Sequence, residues 1–168
     1  PMFTLKPLSP TAIPSALAKA ERYRLLNEPA EAASICEDIL RVQPDHTEAR
    51  VTLILALTDQ FPHDGRLVGE AHDLARKLPT PYERAYYSGL VIERRARALL
   101  ERGGGPVRAL PAGGWLREAM SCYEEAEAVR PPGNDDALLR WNACARLLNA
   151  HAELLEPDDE RSAPMMLE

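Results

Sequence analysis

Three cysteines, four histidines and a triple glycine are the residues of this 168-residue chain with the most chemical potential. A metal centre built from cysteine and histidine needs pairs a few positions apart, so that two ligands reach one ion. Cys36, Cys122 and Cys144 supply no such pair, and neither do His46, His63, His72 and His151. Each cysteine falls on the apolar face of an expected helix, where a free thiol behaves as a small buried hydrophobe. The histidines read as solvated, with His46 in the turn or first helical turn that follows Pro44-Asp45. Gly103-Gly104-Gly105 has the composition of a phosphate loop, but it follows a helical pattern and no Lys-Ser/Thr pair comes after it. It reads as a flexible connection. No nucleophile, base or metal set converges in the sequence, although folding could still bring Glu21, Asp59 and His72 together. The expectation is a protein that is not an enzyme and needs no cofactor or metal.

The charges are more informative than the nucleophiles. The formal net charge is −6 with a pI near 5.3, which argues against nucleic acid as a partner. Residues 1–83 carry 9 basic and 12 acidic groups, 84–117 carry 7 and 2, and 118–168 carry 4 and 12. The central segment holds the basic patch Arg94, Arg95, Arg97, Arg102 and Arg108. Such a run is ordinarily a solvated face. In an acidic chain it also offers a surface for an acidic partner, or for the chain's own acidic tail.

A repeat organises these residues. EAASICEDILRVQP at 31–44 returns as EAMSCYEEAEAVRP at 118–131, matching Glu31, Ala32, Ser34, Glu37, Val42 and Pro44 with Glu118, Ala119, Ser121, Glu124, Val129 and Pro131. Both copies space small or apolar residues at helical intervals and stop at proline, which cannot continue a helix. Glu70-Ala71 is a fainter echo. Helices are expected at about 14–27, 28–42, 46–60, 70–79, 82–102, 115–129 and 135–154. The third is apolar on nearly every side, which suits the middle of a stack. Phe61-Pro62 and Asp64-Gly65 signal a turn, and GGGPVRALPAGG at 103–114 a long loop. If the unit is 34 residues, the two intervals between copies carry surpluses of about 5 and 14, which fall at that turn and that loop.

On these residues the chain resembles the tetratricopeptide repeat family, whose units are 34-residue helix–turn–helix pairs. Ala20, Tyr23, Ala32, Cys36, Ile39 and Pro44 match in the first unit. Ala71, Ala75 and Leu78 match in the second, and Gly89, Ile92, Ala119, Tyr123, Ala126 and Pro131 in the third. The resemblance covers about residues 14–148 and implies an all-α, right-handed solenoid of antiparallel helix pairs, about seven helices, the last a cap. It also implies a concave groove, lined by the first helix of each unit, that holds a peptide or partner protein. In that register the groove carries Leu17, Glu21 and Arg24, then Val51, Leu55 and Thr58, then Tyr86, Leu90, Glu93 and Arg94. An apolar stripe flanked by arginine suits an amphipathic helix or an extended segment with acidic flanks.

The domain layout follows. Residues 1–12 are an N-terminal extension, 13–155 the repeat domain with its loop at 103–114, and 156–168 an acidic flexible tail. Pro1 before Met2 and the closing Leu167-Glu168 read as vector scars. The expected function is a non-enzymatic adaptor that binds another protein or peptide, with neither nucleic acid nor membrane as partner. No apolar run reaches the roughly 20 residues a bilayer span needs. Three unpatterned cysteines suit a reducing cytoplasm, and the arginine-rich composition a GC-rich bacterial genome. The alternative is a homodimer, because Leu138, Leu139, Leu147 and Leu148 exceed what one face of the last helix needs.

Overall fold

The computed structural model describes residues 2–155, so the proposed acidic tail lies outside the described residues. Seven α-helices follow one another: α1 Ile13–Leu25, α2 Pro29–Val42, α3 Thr47–Thr58, α4 Leu67–Arg76, α5 Pro81–Glu101, α6 Pro106–Ala128 and α7 Asp136–Ala150. A 3-10 turn precedes α1 at Pro10–Ala12 and another follows α7 at Ala152–Leu154. No strand occurs among the described residues.

The helix ends follow from local chemistry. Proline occupies the first turn of α1, α2, α5 and α6, where its missing N–H removes no helical bond. Thr80 and Glu83 form a reciprocal capping box on α5. The His46 ring nitrogen Nδ1 accepts from the Ala49 backbone and caps α3, so this histidine has a specific local role. At the end of α1, Asn27 adopts φ 61° while Glu28 N–H reaches back to the Tyr23 carbonyl, the double turn that closes many helices.

Consecutive helices pack on one another throughout the described residues, and α3 also meets α1 and α5. As its composition implied, α3 is buried on most sides, through Ala49, Thr52, Leu53, Ile54, Ala56, Leu57 and Thr58. Alanine dominates the crossings: Ala20, Ala32, Ala56, Ala71, Ala75, Ala96, Ala112, Ala119 and Ala126 are wholly enclosed. Small side chains there let helix backbones approach closely. Both copies of the repeated sequence bury the same three positions: Ala32 and Ala119, Cys36 and Tyr123, and Ile39 and Ala126 are all fully buried.

The segment 103–114 is not a long loop. Only Gly103, Gly104 and Gly105 leave the helical path, all at positive φ, and α6 begins at Pro106 and runs straight through Pro111, Gly113 and Gly114. The residues expected to form that loop lengthen the helices instead. The 21 residues of α5 and 23 of α6 exceed the 10 to 14 of the first four helices. Gly89 against Tyr123 and Arg95 against Trp115 show α5 and α6 running antiparallel. Helix is retained across Gly113 because the chain after α7 lies directly on it. A Cβ there would overlap the Leu154 carbonyl, and Leu154 is itself buried. Likewise the last helix stops at Ala150, short of Leu154.

Candidate functional site

One face crosses α1, α3 and α5. At its centre Val51 and Leu55 of α3 and Tyr87 of α5 are only half-buried, and Leu25 of α1 stands 88% exposed beside them. Together they line a cleft of about 490 Å³ whose rim carries Glu21, Glu48 and Glu83. A second cleft of about 380 Å³ continues from it, sharing Arg24 and Leu25 and reaching Thr58, Asp59, Arg94, Arg97 and Glu101. The two join at Arg24 and Leu25 into one groove, whose floor is apolar in the first cleft while the second is lined mainly by charged side chains.

Asp59 sits between two arginines in the second cleft. It accepts from Arg24 Nε at 2.8 Å and lies 3.7 Å from Arg94 Nη1. This carboxylate ties the end of α3 to both neighbouring helices of the groove.

The groove contains six of the ten residues expected in it: Glu21, Arg24, Val51, Leu55, Thr58 and Arg94. Thr58 contributes little surface, being 2% exposed with its hydroxyl donating to the Leu55 carbonyl. The other four are displaced. Leu17 packs with Ile13, Ile39 and Ala49 in a small core at the start of the chain. Leu90 is buried, and Tyr86 turns away to stack on Tyr82 and tilt against Tyr123. Glu93 is fully enclosed. The reason is one of phase: each residue turns a helix by about 100°, and Gly89 fixes which side of α5 meets α6. A Cβ at Gly89 would lie 2.9 Å from Tyr123 Cε1, so the stripe beside it goes inward and Tyr87, itself half-buried, takes the groove place expected of Tyr86.

Glu93 is the centre of a different site, which the sequence did not announce. Its Oε2 accepts from the Tyr123 hydroxyl at 2.6 Å, its Oε1 accepts from Arg97 Nε at 2.8 Å, and Arg140 Nη1 of α7 stands 3.7 Å away. Burial, and then the Glu93 charge, push the Tyr123 phenol well above its ordinary range, which keeps it a donor. The arrangement joins α5, α6 and α7 through one buried carboxylate. Its arginines also explain how a charge survives there, since an unpaired buried carboxylate would be prohibitive.

The basic patch is dispersed in the same way. Arg94 serves Asp59, Arg97 serves Glu93, and Arg95 lies 3.8 Å over the Trp115 ring. Arg102 donates to the Phe61 and Pro62 carbonyls, fastening the end of α5 to the α3–α4 connection. Arg108 lies beside the glycine turn. The run is therefore neither a plain solvated face nor a single cationic surface. Its members point in several directions because consecutive helical residues do.

Cys36 and Cys144 lie in the core, whereas Cys122 is only half-buried. Cys36, Cys122 and Cys144 are free, and burial raises all three, Cys36 and Cys144 to about 12. Among the described residues no group of three metal-ligating side chains comes together, and no helix is long and apolar enough to cross a membrane. On α7, Leu148 is buried and Leu138 and Leu147 half-buried, which leaves Leu139, 62% exposed, as the leucine facing outward. Comparison of the sequence with models of known protein families gives no match, and comparison with curated proteins gives none either.

Proposed function

We propose that this chain is a non-enzymatic adaptor of tetratricopeptide-like, right-handed solenoid architecture, and that it holds a segment of another protein in the groove across α1, α3 and α5. The observation that carries this reading is the uncovered apolar floor of Val51, Leu55 and Tyr87, set between charged rims on three alternating helices. Burial at matching positions, Ala32 and Ala119, Cys36 and Tyr123, and Ile39 and Ala126, supports the repeat register that the architecture requires. A framework cross-tied by Asp59 keeps the groove shaped before binding, so the receptor loses little entropy when a partner arrives. Three free thiols suit a cytoplasmic setting. Self-association through α7 has weaker support, because one outward leucine is a small surface for a dimer.

A random peptide library displayed against the immobilised protein tests the reading. Peptides should be enriched, and Leu55→Glu, which changes a half-buried groove residue, should weaken them at least about tenfold while thermal unfolding stays near that of the parent. Losing one buried leucine contact and desolvating a carboxylate together exceed the roughly 1.4 kcal/mol that tenfold represents. Enrichment indifferent to Leu55→Glu would place binding elsewhere.

A further inference from the structure

The groove is electrically divided along its length. At one end Glu21, Glu48 and Glu83 surround the apolar floor, and Arg24 is the cation they share. Among the described residues, neither Glu21 nor Glu48 makes an ion pair, and both are exposed. The Arg24 guanidinium is committed at 2.8 Å to Asp59, so it does little to neutralise them. At the other end the balance reverses. Arg24 and Arg94 divide one carboxylate, that of Asp59, and Arg97 lies beside them with its side chain 36% exposed. Arg97 in turn shares Glu93 with Arg140, so this carboxylate too is met by two guanidinium groups. Glu101 is the remaining acid of that end.

We propose that the groove selects a peptide segment of split charge: apolar side chains over Val51, Leu55 and Tyr87, basic residues over Glu21 and Glu48, and acidic residues over Arg94 and Arg97. The proposal rests on the groove reading above and specifies the partner's chemistry and direction. A uniformly acidic segment meets the carboxylate rim, and a uniformly basic one meets the arginine end. Opposite charges placed along the length satisfy both and fix which way the segment runs. Complementary charge of this kind acts mainly on register and choice of partner.

The test uses three synthetic amphipathic peptides of about 20 residues, roughly 30 Å when helical. All have leucines at helical spacing, and their charged positions are all lysine, all glutamate, or lysine in one half and glutamate in the other. Affinities are measured near physiological salt, where exposed charges more than about 8 Å apart are largely screened. The split peptide should bind tightest, by about tenfold over the all-glutamate peptide. The exposed double variant Glu21→Lys/Glu48→Lys should reduce split-peptide binding by a similar factor. A spin label on the lysine end should broaden amide resonances at residues 47–55 and 83–87, and a label on the glutamate end those at 94–101. Leu55→Glu separates this from general attraction to an acidic protein: it adds negative charge, yet it should weaken the split peptide. Groove binding that is equal for all three peptides, or broadening independent of label position, overturns the split-charge proposal alone. If no peptide broadens either region, the groove reading falls with it.

Discussion

Glu93 is the residue at which charge, burial and architecture meet. A carboxylate with no exposed surface survives only if its lone pairs are used, and here Tyr123 and Arg97 use them while Arg140 adds charge. Glu93→Ala should therefore cost about 3–5 kcal/mol, the usual consequence of stranding the partners of a buried charge. Tyr123→Phe should cost less, about 1.5–3 kcal/mol, because it removes one hydrogen bond to a charged group and leaves the ring in place. Chemical denaturation of both variants checks this, and a Glu93→Ala loss below that of Tyr123→Phe would contradict it. The sequence could not show the site. Glu93 precedes Arg94 and Arg95 and so has the look of a solvated charge run, while the groups that enclose it come from α6 and α7. The cysteines were legible for the opposite reason: with no ligand spacing, the core was the place left for them, and burial of Cys36 and Cys144 follows.

At the scale of the element, the α5–α6 pair carries the main lesson. Glycine and proline between 103 and 114 signal a loop, yet three glycines suffice for the turn and the rest is helix. Local propensity disfavours Gly113 in a helix by about 1 kcal/mol relative to alanine, and tertiary packing outweighs it. What propensity cannot reveal is that the Leu154 carbonyl lies where a side chain at 113 would stand. Gly113→Ala should accordingly displace the turn Ala152–Leu154 and expose Leu154. The loss of about 1.5–3 kcal/mol of apolar burial exceeds the propensity gain. Amide exchange at residues 152–155 should accelerate in the variant, and the melting temperature should fall. Unchanged exchange there would mean the contact does not hold the segment. Other boundaries were legible because their signals are local: Pro29, Pro81 and the Thr80–Glu83 box each act within one turn. The groove face of α5 was not, since Tyr86 and Tyr87 are adjacent in sequence and only the close approach at Gly89 decides which lines the cleft.

For the whole molecule, contacts run from each helix to its neighbours, with α3 reaching both α1 and α5. In the proposed solenoid, such a pattern makes the shape of the groove a sum of local crossings. That is why the repeated stretches ending at Pro44 and Pro131 indicated helical pairs, and why an error of one residue in phase on α5 took Tyr86, Leu90 and Glu93 out of the expected groove. The clefts that result join side chains from three helices, and their charge division is invisible in a net charge of −6. The most direct measurement follows the backbone amide resonances of the labelled protein as a library-selected peptide is added. The account predicts that the largest shifts gather at residues 21–25, 47–55 and 83–98, leaving the outward faces of α2, α4 and α6 undisturbed. Shifts concentrated on α2, α4, α6 or α7, with 47–55 unmoved, would contradict it.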